Sequence, residues 1–172
     1  MNPLNHANPA IVESFSRLEE TANQWRSERL SFAICHGCFD PLHPGHILHF
    51  KQAAELADRL IVTITRDIHI HKGPGRPFFT ERLRLLSVSE LRIVDAAALS
   101  PWPSAVNIIE KLRPAFFVKG PDYRDRANCN PNINLEEQAC LQYGGRLTLT
   151  SEPSFSSTNL IRKWSEFAAN GA

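Results

Sequence analysis

The feature that most constrains the fold is a regular alternation of short apolar runs with helical patterns, which begins at Ser31. Runs rich in β-branched and aromatic residues are typical of buried strands, and apolar residues three and four positions apart are typical of helices. The predicted strands span residues 31–35, 59–65, 92–99, 115–120 and 146–151. The predicted helices span residues 44–58, 79–91, 104–112, 133–145 and 156–169. This order predicts a mostly parallel sheet that helices cover on both faces.

Several residues within this pattern mark helix boundaries. Pro44 is tolerated in a first turn because its missing N–H would have no intrahelical partner. Thr80 and Ser104 are candidate N-caps of two later helices, and Gly144 and Gly145 are suited to close another. The predicted fold class is therefore α/β, a Rossmann-like doubly wound, mostly parallel sheet of about five strands with an extra N-terminal helix.

That extra helix is amphipathic and runs from about Pro9 to Leu30. Its apolar residues recur at helical spacing and are Ile11, Phe15, Leu18, Ala22 and Trp25. We interpret residues 1–30 as an N-terminal helical extension rather than a separate domain. Its apolar face is expected to pack on the domain formed by residues 31–172 or on a partner.

Composition and charge exclude several classes of function. The chain has 172 residues, with 19 Lys and Arg against 18 Asp and Glu, and this balance argues against a general nucleic-acid coat protein. No apolar run approaches the roughly 18 residues of a membrane span, and the N-terminus lacks the layout of a secretory signal. The four cysteines form no dense disulfide framework, which favours a reducing, cytoplasmic location.

Chemistry is expected in the segments that leave the carboxyl ends of the strands, because parallel sheets bind ligands there. His43 and His46 lie three residues apart across a loop-to-helix start, so both can face one ligand. Gly45 permits close approach, and the helix N-terminus attracts anions. This set suits a phosphate whose charge grows during a reaction, with Asp40 positioned to hydrogen-bond the loop or orient a histidine. The alternative is that both histidines merely cap and pack the helix.

Other histidines and cysteines give weaker signals. Cys35 and Cys38 supply only two metal ligands, and no second pair lies at zinc-ribbon spacing, so no metal site is predicted. Three further histidines are interpreted as local surface or loop residues rather than ligands, namely His49, His69 and His71. The last two precede Lys72 and can add to a local positive field.

Four strings together resemble a known family. GCFDPLHPGH (37–46) is similar to the G-x-F-D-x-x-H-x-G-H signature of the cytidylyltransferase-like nucleotidyltransferases, and FSSTNLIRK (155–163) resembles their second signature. VKGPDY (118–123) and KGPGRP (72–77) are similar to strings of the bacterial heptose-phosphate adenylyltransferases, the second half-reaction of ADP-heptose synthases. The resemblance covers residues 31–168, with the motifs in the family's order.

The resemblance implies a reaction in which an acceptor phosphate attacks the α-phosphate of a nucleoside triphosphate and releases pyrophosphate. Such an enzyme positions its substrates and stabilises charge, and no covalent enzyme intermediate is expected. Mg²⁺ is expected to arrive with the triphosphate, carried mainly by its oxygens. ATP is the favoured donor and CTP the alternative, and a homodimer is expected.

The resemblance also implies roles for individual residues. His43 and His46 would contact the α-phosphate, with His46 the leading transition-state stabiliser, and Lys72 would clamp the triphosphate or the incoming phosphate. Ser157 and Thr158 are expected to act with them, offering hydroxyls and N–H groups to the β- and γ-phosphates. The nucleotide-binding residues implied are Gly37, Phe39, Asp40, Gly45, Lys119, Asp122, Ser156 and Arg162, the last of which would neutralise the leaving pyrophosphate.

Some of these residues also have a purely structural explanation, and two other functions stay open. The serine cluster can be an ordinary N-cap, Arg162 a solvated surface charge and Lys72 a loop tip. The segment 124–139 is longer than the equivalent stretch in the heptose enzymes, which leaves the acceptor open. The other functions are a non-catalytic nucleotide-binding module and a scaffold protein that works through its N-terminal helix.

Overall fold

The computed structural model describes residues 12, 14–125, 132–153 and 157–169. Its helices are α1 (Phe15–Ser27), α2 (Pro44–Ala54), α3 (Glu81–Ser89), α4 (Val106–Leu112), α5 (Ile133–Gln142) and α6 (Ser157–Ala169). Its strands are β1 (Phe32–Gly37), β2 (Arg59–Thr65), β3 (Ala96–Ser100), β4 (Phe116–Lys119) and β5 (Arg146–Leu149). Short 3₁₀ turns follow β2 and β4, at Asp67–His69 and Pro121–Tyr123.

The five strands form one parallel sheet in the order β3-β2-β1-β4-β5. The chain therefore starts in the middle of the sheet, builds one half outward through β3 and then returns to build the other half. This confirms the predicted doubly wound α/β fold. The reversal lies between β1 and β4, where Cys35 is opposite Val118, and such a switch point opens a crevice at the carboxyl ends of the strands.

Each face of the sheet has its own apolar core, because successive side chains of a strand point to opposite faces. Phe32 and Ile34 of β1 pack with the face that α1, α4 and α5 cover. Ala33 and Cys35 pack with the opposite face, against α2 and α3. Burial on both faces explains why the strands are nearly continuous apolar runs in the sequence.

Helix α1 packs on the sheet face that α4 and α5 also cover. Leu18 and Ala22 are buried in its core, and the Phe15 ring meets Trp102 edge-on at 4.6 Å between centroids. The apolar face of α1 thus packs on the sheet of the same chain, which is one of the two arrangements that the sequence predicted. Residues 1–11 lie outside the described residues, so the predicted start near Pro9 stays a prediction.

Of the two predicted N-caps, Thr80 is confirmed in position and Ser104 is wrong. Thr80 occupies the N-cap position of α3, but its side chain makes no capping hydrogen bond. The Asp67 carboxylate accepts from the Glu81 backbone N–H at 3.0 Å instead, so a distant residue satisfies the helix start. Ser104 lies one residue before the N-cap position of α4, which Ala105 occupies.

The third strand is also shorter and later than predicted. The structure places β3 at Ala96–Ser100, whereas the pattern predicted residues 92–99. Asp95 explains the difference, because its carboxylate accepts a hydrogen bond from the Leu60 backbone N–H at 2.8 Å just before the strand begins. The preceding residues turn, with the Val94 N–H donating to the Leu91 carbonyl.

Helix α5 ends where the glycines predicted, since Gly144 follows it in the left-handed conformation with φ of 78°. In the described part of the chain, no helix has both the length and the apolar character needed to cross a membrane.

Candidate active site

A pocket of about 270 Å³ opens at the switch point, between the carboxyl ends of β1 and β4. Its walls come from the β1–α2 loop, the first turn of α2, the segment after β4 and the start of α6. It brings together most of the predicted site residues, namely Gly37, Phe39, Asp40, His43, Gly45, His46, Lys72, Lys119, Asp122 and Ser157. Residues up to 120 positions apart thus meet at one place, as the four motifs predicted.

Three predicted residues are not among them. Thr158 is exposed on α6, and Arg162 pairs with Glu166 of the same helix at 2.8 Å in an exposed position. Ser156 lies outside the described residues. Ser157, in contrast, lines the pocket and donates a hydrogen bond to the Pro41 carbonyl at 3.2 Å. The N-terminus of α6 therefore faces the β1–α2 loop.

His43 and His46 cap each other at the start of α2. The His46 backbone N–H donates to Nδ1 of His43 at 3.4 Å, and the His43 backbone N–H donates to Nδ1 of His46 at 3.3 Å. This is a capping box made by two imidazoles, whose rings stack at 3.7 Å between centroids. Because both Nδ1 atoms accept, each neutral ring carries its proton on Nε2. The Nε2–H of His46 is the donor that this cap orients for a ligand.

These imidazoles are held neutral. Burial lowers the pKa of His46 to about 3, with smaller contributions from the neighbouring His43, His49 and Lys72. Burial also lowers the pKa of His43. The site therefore presents oriented N–H dipoles rather than a pair of cations, which suits charge that develops during a reaction.

His36 lines the same pocket and joins β1 to β2. Its Nδ1 lies 3.0 Å from the Thr63 hydroxyl and its Nε2 lies 3.4 Å from the Thr65 hydroxyl. Burial, and then the charge of Lys119, lower its pKa to about 3.

We expect the free energy of unfolding to fall as the pH drops below about 6.5, the pKa of an unfolded histidine. The unfolded chain takes up protons there, while folded His36 and His46 stay neutral down to a pKa of about 3. Each contributes a slope of about 1.4 kcal/mol per pH unit across that window. Urea unfolding at pH 7, 5.5 and 4.5 measures how the free energy of unfolding depends on pH. His36→Gln should reduce the slope, and His71→Gln in the exposed loop is the matched control; equal slopes in all three proteins would contradict this reading.

Phe39 supports the His46 ring. It takes a left-handed backbone conformation with φ of 51° and meets His46 edge-on at 5.1 Å between centroids. Gly37 leaves the space that this requires, because a Cβ there would lie 2.9 Å from the Phe39 ring. Phe50 packs on the other side of Phe39 at 5.0 Å. The G-x-F part of the first motif thus fixes the orientation of the His46 imidazole.

Asp40 fixes the loop that carries Lys72. Its buried carboxylate accepts hydrogen bonds from the backbone N–H groups of Phe78 and Phe79 at 2.6 and 2.8 Å, and from Arg76 at 3.1 Å. Arg76 also donates to the Asp40 carbonyl. The carboxylate therefore holds residues 76–79, and its predicted part in nucleotide binding stays a prediction.

Arg84 is a site-building residue that sequence reasoning missed. Its guanidinium is fully buried and donates to the carbonyls of Cys38, Thr65 and Phe79. It also pairs with Asp67 at 2.7 Å. One side chain thus ties the β1–α2 loop to both ends of the connection between β2 and α3. The sequence does carry one signal for Arg84. It is a charged residue at the spacing of the buried helix face, four positions before Val88 and seven before Leu91.

His49 corrects the interpretation of that residue as a local surface position. It is 8% exposed and its Nδ1 lies 2.9 Å from the Thr150 hydroxyl and 3.5 Å from the Glu152 carboxylate. The Thr150 hydroxyl donates to the Lys119 carbonyl, so it accepts from His49. His49 and Glu152 both line the pocket and were not predicted as site residues.

Lys119 is paired rather than free. Its ammonium lies 2.9 Å from Glu136 of α5 and sits over the rings of Phe117 and Tyr123 at 4.9 and 4.7 Å. Both members of the ion pair are almost fully buried. Their charges cancel locally, which makes Lys119 a weak source of attraction for a triphosphate.

No group of three or more histidine, cysteine or acidic residues in the described part of the chain is placed to hold a metal ion. Cys35 and Cys38 are free thiols, and burial raises the pKa of both, which opposes the thiolate form that binds metals.

The fold and the site define a class of protein. The switch point of this parallel sheet is lined by imidazoles and by the N-termini of α2 and α6. Such an arrangement is typical of an α/β enzyme that binds an anionic nucleotide. Residues 34–163 match the family model described as cytidylyltransferase-like. The chain belongs to that family, and its enzyme class is the nucleotidyltransferases.

Two curated relatives are similar over almost the whole chain. The bifunctional protein HldE of Rhodopseudomonas palustris (strain TIE-1) is 33% identical over 159 residues, covering 91% of this chain and 31% of the relative. The bifunctional protein HldE of Caulobacter sp. (strain K31) is 33% identical over 171 residues, covering 96% and 34%. This chain spans about a third of the length of these relatives.

Two solved structures share the fold. The lipopolysaccharide core biosynthesis protein from Thermoplasma volcanium GSS1 has a TM-score of 0.59 and 28% identity, covering 73% of this chain and 99% of that one. Pantoate-beta-alanine ligase from Francisella tularensis has a TM-score of 0.61 and 14% identity, covering 88% and 72%. The second likeness supports the fold alone.

Proposed function

We propose that this chain transfers a nucleoside monophosphate group from a nucleoside triphosphate to a sugar phosphate or a similar small phosphorylated acceptor, releasing pyrophosphate. The observation that carries the proposal is the reciprocal capping of His43 and His46, which orients the Nε2–H of His46 at the switch point. The charge that develops around the α-phosphorus needs a hydrogen-bond donor, and the His46 ring is already oriented to supply one.

The roles follow from position. His46 donates to the α-phosphate oxygens as their charge grows, and His43 holds it in place while contacting the same phosphate. Ser157 and the N-terminus of α6 receive the β- and γ-phosphates. Lys72, on a loop that Asp40 anchors, closes over the polyphosphate. Mg²⁺ enters as part of the triphosphate substrate and neutralises its oxygens.

ATP is the donor that we propose first, with CTP as the alternative. The VKGPDY string resembles the adenylyltransferase branch, and the relatives named HldE cover that string among the matched residues. A sugar phosphate is the acceptor that agrees with the resemblance to heptose-phosphate enzymes and with the lipopolysaccharide core biosynthesis protein of similar fold.

The test is pyrophosphate release from each of the four nucleoside triphosphates with sugar 1-phosphates and polyol phosphates. We expect pyrophosphate release with ATP and at least one sugar phosphate. ATP without an acceptor should also raise the melting temperature, because a ligand at 100 times its Kd adds about 2.7 kcal/mol of stability. Release with CTP and an alcohol phosphate would favour the cytidylyltransferase alternative. Tight nucleotide binding without release from any pair would favour a non-catalytic module and contradict the proposal.

We also propose that the enzyme works as a homodimer in the cytoplasm. Leu160, Trp164 and Phe167 leave an exposed apolar surface on α6 that supports association. The free thiols of Cys35, Cys38 and Cys140 agree with a reducing compartment.

A further inference from the structure

His49 is a buried titratable side chain that lines the pocket at the switch point. It lies on α2 one turn after His46, and its ring packs against residues 150–152, which lead into α6. His49 therefore connects the helix that begins at the proposed α-phosphate site to the segment that leads to the proposed site of the β- and γ-phosphates.

The two nitrogens of the His49 ring have different surroundings. Nδ1 lies 2.9 Å from the Thr150 hydroxyl, which donates its own proton to the Lys119 carbonyl, and 3.5 Å from Oε1 of Glu152. Two oxygens that accept hydrogen bonds thus place the proton of neutral His49 on Nδ1. Nε2 makes no hydrogen bond to a described residue and is not a fully buried atom, so its lone pair is open to the pocket.

The other imidazoles of the pocket are placed differently. His43 and His46 both use Nδ1 to accept the reciprocal cap, so a second proton on either ring would break a bond that holds the start of α2. His36 is held neutral, because burial and then Lys119 lower its pKa to about 3. His49, in contrast, can gain a proton at Nε2 and keep both contacts of Nδ1.

Opposing charges surround His49 in the free protein. Burial lowers the pKa of His49, the buried Glu152 carboxylate raises it, and the Lys119 ammonium lowers it. The charge of Lys119 is itself paired with Glu136 at 2.9 Å. The other titratable or charged groups around this cluster are Cys35 and His36 on β1, His46 on α2 and Arg124 after β4. His49 is therefore neutral at pH 7, with a carboxylate already placed to stabilise its charged form.

A bound triphosphate changes this balance. It brings several negative charges into the pocket, and the lone pair of a neutral Nε2 would repel its oxygens. A proton on Nε2 removes the repulsion and turns the nitrogen into a donor, while Nδ1 gains a charged partner in Glu152. A hydroxyl or a base N–H of a ligand would instead donate to neutral Nε2, and its binding would need no proton.

We propose that His49 is a phosphate-binding residue of this site: it takes up a proton from solvent at Nε2 when the triphosphate binds and donates it in a hydrogen bond to the polyphosphate, while Glu152 balances the new charge. The step forms one N–H bond, and the proton returns to solvent when pyrophosphate leaves. This inference rests on the proposed function for the identity of the ligand.

The proposal makes triphosphate binding depend on pH. The complex holds one proton more than the free protein, so the Kd should rise with pH by up to about tenfold per unit. The rise begins near the pKa of His49 in the free protein, which burial keeps below its usual value of 6.5, and ends at the higher pKa of the bound ring.

Calorimetric titration with Mg²⁺ and α,β-methylene ATP, in PIPES and in Tris at pH 7, counts the protons taken up, because the two buffers differ in ionisation enthalpy. We expect wild type to take up about half to one proton more than His49→Asn. Asn keeps a donor for Thr150 at the position of Nδ1 and has no group at that of Nε2. Protons that the ligand itself exchanges contribute equally to both proteins.

Glu152→Gln removes the balancing charge and should lower the proton count by about half or more. Glu55→Gln is the matched control, because it is the same change at an exposed position at the end of α2 and outside the pocket. It should leave the count as in wild type. A purely structural role of His49 would change the melting temperature or the Kd of its variants without changing the number of protons.

The wild-type count alone tests the inference if a variant does not fold. Binding without proton uptake between pH 6 and pH 8 would show that Nε2 stays neutral and that the inference is wrong. Equal uptake by wild type and His49→Asn would overturn it as well, and in both cases the proposed function stands. If neither α,β-methylene ATP nor α,β-methylene CTP binds, the proposed function is itself contradicted, and this inference with it.

Discussion

His46→Ala should lower kcat by about 10²- to 10³-fold, the usual scale for removing one donor that stabilises developing charge. The Nε2–H of His46 is oriented by the reciprocal cap with His43 and braced by Phe39, so it is in place before the reaction starts. The Kd of the nucleoside triphosphate should change much less, because the other phosphates are held elsewhere in the pocket. Steady-state release of pyrophosphate and calorimetric nucleotide binding measure the two effects.

Two further measurements make this prediction specific. His46→Gln keeps an N–H donor on a side chain of similar reach and should lose less turnover than His46→Ala. Thermal unfolding of both variants shows whether the helix start survives the loss of the cap. A folded His46→Ala protein with turnover near that of wild type would show that the assigned role is wrong.

Arg84→Met should lower the free energy of unfolding by about 3–5 kcal/mol, since each carbonyl that loses its buried donor costs about 1–3 kcal/mol. The change leaves the carbonyls of Cys38, Thr65 and Phe79 without their donor and Asp67 without its cation. In a protein of this size the melting temperature should fall by about 10 °C. Urea denaturation followed by circular dichroism measures the free energy directly.

Arg82→Met is the matched control, because Arg82 lies two residues earlier on an exposed face of the same helix. It should change the free energy of unfolding by less than about 0.5 kcal/mol. Arg84→Lys keeps the charge but lacks the fork that reaches several carbonyls, and it should fall between the two. A loss below about 1 kcal/mol in Arg84→Met would mean that the β1–α2 and β2–α3 connections do not depend on this guanidinium.

The sheet was predictable because its signals are local. Runs such as that of β2 are apolar on both faces, which indicates a strand covered on both sides, and the alternation with helices fixes a parallel sheet. The position of the site followed as well, since the carboxyl ends of parallel strands share one edge. The start of β3 did not follow, because the Asp95 carboxylate that ends the preceding turn bonds to β2.

The partners within the site were not predictable in the same way. Asp40 contacts residues 76–79, and Glu136 meets Lys119 only after α5 folds back on the sheet. A polar residue at the spacing of a buried helix face gives the one local hint. Arg84, Glu136 and His49 all have that placement, and each proved to be a buried group of the site. The pattern marks such residues but does not identify what they contact.

The most direct test of the account is a crystal structure with Mg²⁺ and α,β-methylene ATP, an analogue that binds but cannot release pyrophosphate. We predict that its α-phosphate oxygens lie about 3 Å from Nε2 of His46, with the β- and γ-phosphates at Ser157 and the N-terminus of α6. A triphosphate that lies away from both histidines would contradict the account.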